Sequence, residues 1–333
     1  MIPIHIDRVG GLGNTMFQYM FARRLQSLVP EIVIGDVRIP EFGIDFGPIG
    51  APEFELDLPP VHQVDMQEIA HLLVSGVYDG VRLRAFVQRL EYYSDRAEMA
   101  KLFPRVCEVD ESLVGAGSLV INVRGKEILR DAHEDYGPVP VDFFTQIAES
   151  SGLEPVIVGQ LGDDAYSEAI RRRFAGCSVL ESVSPASDFE LLRSAHNVVI
   201  GVSTFSWLAT WLSPHVQQIF LPVSGIFNPA QRPDIDLLPL QDERYRYFEF
   251  PHEPWTASPE QLAALVQPGK TYRLMTNDGI RRRRREAHAE LAQQRQGMDA
   301  SQLAAAVRKH NRLRRRLERV VQERDALRSE QPG

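Results

Sequence analysis

The sequence predicts an α/β protein made of two blocks of strands and helices that face one another across a cleft, followed by a basic helix. Three observations carry that expectation. Residues 2–36 read strand, helix, strand; residues 118–223 alternate strand-like and helix-like runs; and from Arg281 onward the chain becomes arginine-rich with few aromatics. Strands alternating with helices imply parallel, doubly wound sheets with right-handed crossovers. A chain of 333 residues, 44% of them hydrophobic, has enough apolar material for about two domains. The blocks divide it into residues 1–115, residues 116–280 and a tail at 281–333.

In the first block, residues 2–9 alternate apolar and polar side chains, and Gly10, Gly11 and Gly13 make a turn. Met16, Phe17, Met20, Phe21, Leu25 and Leu28 then recur at helical spacing, and residues 31–36 look like the next strand. The Pro- and Gly-rich stretch 37–60 is expected to run over the surface, and 65–102 to be helical, with Leu72, Leu73, Val74, Val81, Leu83, Phe86, Val87 and Leu90 as its apolar positions.

In the second block, strands are expected at 119–123, 155–159, 179–180, 198–202 and 218–223, and helices at 141–150, 165–174, 189–195 and 205–212. Beyond residue 225 the pattern weakens. Pro259–Val266 reads as a closing helix, with Ser258 as its cap and Pro259 in its first turn. In the tail, Ala306, His310, Leu313, Leu317, Val320, Arg324 and Leu327 follow alternating four- and three-residue steps, the seam of a coiled coil with two polar interruptions. That helix either pairs with itself or a partner, or is merely solvated; a basic helix can also rest on anionic lipid.

Composition removes several function classes. No stretch approaches the roughly 18 apolar residues of a membrane span, and the amino terminus lacks a basic segment followed by an apolar one, so a cytoplasmic protein is expected. Cys107 and Cys177 stand apart, which indicates neither a disulfide framework nor a zinc site. Residues 281–333 hold 15 Lys and Arg against 7 Asp and Glu, whereas residues 1–280 hold 22 against 38. So acidic a body is a poor nucleic-acid binder, since that affinity comes from neutralising phosphates.

Four segments carry candidate chemistry. The apolar run ending at Val202 leads into Ser203, Thr204, Phe205 and Ser206, which open a helix. A helix start at the carboxyl end of a parallel strand offers free N–H groups to an anion such as phosphate, and is equally an ordinary Ser/Thr cap. Gly10, Gly11, Gly13 and Asn14 form a glycine loop that lets backbone approach a ligand, or else a plain turn; the dinucleotide fingerprint fails, because its third glycine falls on Met16. Asn122, Arg124, Lys126 and Glu127 lie at or just past a strand end, where a guanidinium can hold two phosphate oxygens. Asp163 and Asp164 either cap a helix or accept hydrogen bonds from a base or ribose.

Together these segments resemble the α-1,2-fucosyltransferase family and its relatives among nucleotide-sugar glycosyltransferases with two Rossmann-like domains, the GT-B type. Gly-Gly-Leu-Gly-Asn-Thr-Met-Phe-Gln-Tyr at 10–19 is very close to that family's opening Gly-Gly-Leu-Gly-Asn-Gln-Met-Phe-Gln-Tyr. Gly162-Asp163-Asp164 matches its middle Asp-Asp. Residues 188–192 followed by Ser203-Thr204-Phe205-Ser206-Trp207 look like its closing motif. The family's His-x-Arg-Arg-x-Asp falls on residues 122–127, where the first Arg survives as Arg124, the second is Gly125 and the Asp is Glu127.

The resemblance implies an acceptor-side domain at 1–115, a nucleotide-sugar-binding domain at 116–280, and inverting transfer of fucose from GDP-fucose to a glycan acceptor, in surface polysaccharide synthesis. It implies no metal or other cofactor. Arg124 would bind the donor diphosphate with Lys126 supplying the charge lost at Gly125, Ser203–Ser206 would wrap its phosphates, and Asp163 or Asp164 would contact the nucleoside. A transition state of oxocarbenium character leaves charge on the departing diphosphate, and a carboxylate takes the acceptor proton. Glu127 is the first candidate for that proton, followed by Asp131, Glu134 and Asp135. Asp234-Ile235-Asp236 matches the metal-holding Asp-x-Asp of the other large glycosyltransferase fold, outside any Rossmann-like block. A competing expectation, from the eroded central motif and the heptad-like terminus, is a catalytically inactive glycosyltransferase-like module that assembles through its terminal helix.

Overall fold

The computed structural model describes residues 1–296, apart from Ser94 and Ala132. Among these residues the chain is α/β, with two parallel sheets and a small antiparallel hairpin. The first sheet has the order β2-β1-β6-β5, from β1 (Ile2–Ile6), β2 (Ile32–Gly35), β5 (Glu55–Leu58) and β6 (Gly80–Leu83). Helix α1 (Leu12–Leu28) connects β1 to β2, β3 (Val37–Ile39) and β4 (Ile44–Phe46) form the hairpin, and α2 (Met66–Val74) connects β5 to β6. Short helices α3 (Arg96–Lys101) and α4 (Glu111–Val114) lead to the second sheet.

That second sheet has the order β12-β11-β10-β7-β8-β9, all parallel. Its elements follow in chain order: β7 (Ser118–Arg124), α5 (Val141–Ser151), β8 (Glu154–Gln160), α6 (Ala165–Arg173), β9 (Ser178–Glu181), α7 (Pro185–Ser194), β10 (Asn197–Val199), α8 (Thr204–Trp211), β11 (Gln218–Val223) and β12 (Tyr245–Glu249). The chain moves outward from β7 in one direction and from β10 in the other, so the strand order reverses between these neighbours. Their carboxyl ends form the crevice where open α/β sheets bind ligands. Helices α9 (Pro259–Ala264) and α10 (Asn277–Gln296) close the described part of the chain.

The expected βαβ opening and the five strands of the second block are present, with ends shifted by a few residues. Three regions differ. The helical expectation for 65–102 fails at 80–83, which is β6, a strand central to its sheet. There Val81 and Leu83 are buried and Arg82 is exposed, a two-residue period too short to separate from a helical one. The stretch 37–60, expected to be surface coil, contributes the hairpin and the edge strand β5. Beyond 225, β12 extends the sheet beside β11. Ser258 does cap α9, accepting from the Gln261 amide.

One continuous apolar core spans both sheets. Helix α1 is apolar around most of its circumference because it lies between the first sheet and α8. Phe17 stacks on Trp207 with centroids 5.7 Å apart, and Trp207 on Trp211 at 5.3 Å. Burying each such ring contributes about 2–3 kcal/mol, and the Phe17–Trp207 contact fastens α1 of the first block to α8 of the second.

The boundary expected at 280/281 falls inside α10. Ile280 is fully buried, Arg284 pairs with Asp236 at 3.0 Å, and Arg283 pairs with Glu249. The first turns of the basic segment are thus part of the body, while the heptad positions 306–327 lie outside the described residues. No helix among the described residues is long and apolar enough to cross a membrane.

Candidate functional site

Arg124 ends β7 at the crevice between β7 and β10. Its Nη1 donates to the Val202 carbonyl at 3.3 Å, immediately before α8, and its guanidinium lies 5.3 Å from the ring centre of Tyr136. The side chain is half-buried and forms no ion pair among the described residues. Burial pushes its pKa down, and Tyr136 and Glu127 offset this only in part. A desolvated cation without a carboxylate gains much from an anion, which would form charge-assisted hydrogen bonds.

At the start of α8, Ser203 is half-buried and its hydroxyl accepts from the Phe205 amide at 3.2 Å. Thr204 is buried and donates to Asn14 Oδ1 at 3.1 Å. Phe205 packs edge-on against Phe189, and Ser206 is fully buried with its hydroxyl turned to the carbonyls of Gly201 and Ser203. Of the four, Ser203 is the hydroxyl left partly open beside Arg124, and Thr204 and Ser206 are committed to the interior.

The glycine loop is fitted to the same helix. A Cβ on Gly13 would lie 2.7 Å from Thr204 Oγ1 and 2.8 Å from the Phe205 amide, so its close approach is to α8. Gly11 meets nothing within 4 Å. Asn14 also accepts from Gln88 of its own block at 2.9 Å, and it is the bond from Thr204 that ties the first block to the second.

Past Arg124, a Cβ on Gly125 would lie 2.5 Å from the Gln160 carbonyl, and Lys126 takes a left-handed conformation with φ of 55°. This tight passage exposes Lys126 and Glu127, which line a cavity of about 760 Å³ with Asp131, Asp163 and Asp164. Asp164 is committed as the cap of α6, accepting from the Ser167 amide at 2.8 Å and its hydroxyl at 2.9 Å. Asp163 is exposed, and neither it nor the half-buried Asn122 amide has a side-chain partner among the described residues.

On the other side of Tyr136 a cleft of about 1220 Å³ separates the blocks. Asn14, His62, Phe86 and Tyr92 line it from the first block, and His133, Asp135, Tyr136, Arg232 and Asp234 from the second. Arg232 is clamped between Asp135 and Asp234, the latter at 2.8 Å. Although burial works against its charge, those carboxylates raise its pKa. Glu134 is exposed and its carbonyl accepts from Gln231. Asp234 and Asp236 engage different arginines, Arg232 and Arg284, and no group of three or more His, Cys, Asp or Glu suited to a metal occurs among the described residues.

Sequence reasoning missed His62, Tyr136 and Arg232. They lie in loops between elements, where no periodicity marks a residue, and the fold alone brings them together. No family model matches the chain, and no curated protein matches it.

Proposed function

We propose that the chain is a glycosyltransferase of the two-domain GT-B type that moves fucose from GDP-fucose, with inversion, to a hydroxyl of a glycan acceptor in surface polysaccharide synthesis. It acts in the cytoplasm, at the inner face of the membrane. The observation that carries this reading is Arg124: a half-buried guanidinium without an ion-pair partner among the described residues, set at the reversal of strand order beside the start of α8. A diphosphate there would meet Arg124, the Ser203 hydroxyl and the α8 amino terminus, with Lys126 within the adjoining cavity. The same cation stabilises the charge that grows on the diphosphate as the sugar leaves.

Tyr136, beside the guanidinium, lines the larger cleft, and Lys126, two residues on, lines the smaller cavity, a pairing that suits a bipartite donor. The nucleoside lies toward Asp163 and Lys126, and the sugar and acceptor lie in the larger cleft beyond Tyr136. The order of the opening, middle and closing motifs supports the family's chemistry.

A thermal-shift screen across GDP-, UDP-, CMP- and dTDP-sugars tests the reading. GDP-fucose at about a hundred times its Kd should stabilise the protein by about 2.7 kcal/mol. If no nucleotide sugar raises the melting temperature, the assignment fails.

A further inference from the structure

Resting on that reading, we propose that the wall of the cleft formed by residues 59–67 and Phe86 is the acceptor subsite, which takes a neutral, hydroxyl-bearing sugar ring, and that His62 receives the proton of the attacking hydroxyl. His62 follows the carboxyl end of β5 and is 7% exposed. Its ring lies flat on Phe86, with centroids 4.8 Å apart and planes 12° from parallel. The Phe86 amide donates to the Val61 carbonyl at 2.9 Å, and the Tyr92 hydroxyl bonds both the amide and the carbonyl of Val64, at 2.7 and 2.9 Å. The stacking and the anchored loop hold the plane of the imidazole against this wall.

Neither ring nitrogen has a hydrogen-bond partner among the described residues. Nδ1 is sealed from the surface, which leaves Nε2 as the nitrogen that a ligand in the cleft meets. Nε2 is thus an unspent hydrogen-bonding atom on a side chain otherwise packed into the wall, and a ligand hydroxyl in the cleft can engage it.

The charges facing this wall select the class of ligand. Arg232 is held by Asp135 and Asp234, and the lining as a whole sets Asp65, Glu91, Asp135 and Asp234 against Arg24 and Arg232, an acidic balance that disfavours an anion. The stacked pair of Phe86 and His62, bordered by Tyr92 and the polar Asp65, offers mixed apolar and polar surface that suits the apolar face and hydroxyl rim of a sugar. Glu127 lines the smaller cavity and is not among the residues lining the cleft.

In the reaction, the acceptor oxygen forms its bond to the anomeric carbon. The bond from that carbon to the diphosphate oxygen breaks, and its electron pair leaves with the diphosphate. The hydroxyl proton passes to His62 Nε2, and the imidazolium then gives it up to water. Burial, and then Arg232 and Arg89, push the His62 pKa down to about 4 against the opposing pull of Asp234, so the ring starts neutral. Negative charge arriving on the diphosphate opposes the two arginines and makes the ring more basic when the proton must move.

The test measures GDP release from GDP-fucose over a panel of free mono- and disaccharides, alongside GDP affinity by calorimetry. His62→Gln should lower acceptor-dependent release roughly 10²- to 10⁴-fold and leave GDP affinity unchanged, and imidazole should restore part of the activity of His62→Ala. Independently of any variant, the His62 ring of the wild-type protein, followed by NMR, should titrate at higher pH with GDP bound than without. Wild-type rates in His62→Gln, an equal loss of GDP affinity, or a ring titration indifferent to GDP would each overturn the proposal. A wild-type protein that neither binds nor turns over any nucleotide sugar would instead sink the glycosyltransferase reading beneath it.

Discussion

At the carboxyl ends of β1 and β6, the central strands of the first sheet, the Gln18 amide reaches over from α1 and donates to the carbonyls of Asp7 at 3.0 Å and Leu83 at 3.2 Å. At the equivalent ends of β7 and β10 in the second sheet stands Arg124, with one 3.3 Å bond to Val202 and no ion pair among the described residues. The first crevice is plugged by a side chain from its own crossover helix, and the second is left with polar capacity unspent. The Gln18 amide nitrogen is thus spent on the fold, although its Oε1 stays buried without a partner among the described residues, whereas Arg124 keeps donors that no carboxylate of the protein engages among those residues.

The largest effect expected from breaking this contrast is at the open crevice. Arg124→Ala should lower transfer roughly 10²- to 10³-fold and leave the melting temperature nearly unchanged, because the lost long hydrogen bond and Tyr136 contact are offset by removal of a desolvated charge. A large drop in melting temperature in that variant would show that Arg124 serves the fold.

Next comes the acid dependence of the cleft. Burial, reinforced by Arg232, lowers the His62 pKa to about 4, below the value of about 6.5 in an unfolded chain. The unfolded state therefore takes up the proton first. The stability tied to a neutral His62 is full above pH 6.5 and declines as pH falls toward 4, by about 3 kcal/mol in all. Urea denaturation at pH 7 and pH 4.5 should show His62→Gln losing less stability between the two than wild type does; equal losses would refute the assignment.

At the plugged crevice, Gln18→Ala should cost about 2 kcal/mol by leaving the Asp7 carbonyl without its side-chain donor, while GDP affinity of the folded protein stays the same. Denaturant midpoints and calorimetry measure the two quantities. The smallest effect separates two adjacent carboxylates. Asp164→Ala should cost about 1 kcal/mol through loss of the α6 cap, whereas Asp163→Ala should leave stability unchanged and weaken nucleotide binding. The reverse pattern would place the nucleoside against Asp164.

Much of the architecture was legible because burial imposes a period. Met16, Phe17, Met20, Phe21 and Leu25 mark α1 as a packed helix, and Leu119–Val123 marks β7 as a strand buried on both faces. Short segments carry no such mark. Val81 and Leu83 in β6, and Leu56 and Leu58 in β5, are too few to reveal a period without the neighbouring strands that pair with them. At the site, residue type and position past a strand end pointed to Arg124, Ser203 and Asp163. The same reasoning gave Thr204, Ser206 and Asp164 equal weight, because a hydroxyl or carboxylate fully engaged within the protein looks identical in sequence to one left accessible.

By itself the sequence determined the α/β class, the βαβ opening and five strands of the second block, the position of Arg124 at a strand end and the acidic body with its basic terminal segment. Only tertiary structure decided that Gly13 and Asn14 join the blocks, that α10 belongs to the body, and that His62, Tyr136 and Arg232 share a cleft. Local periodicity records which face of an element is buried. Which polar atoms are spent and which remain open depends on residues far away in the chain, and those meet only when the core closes.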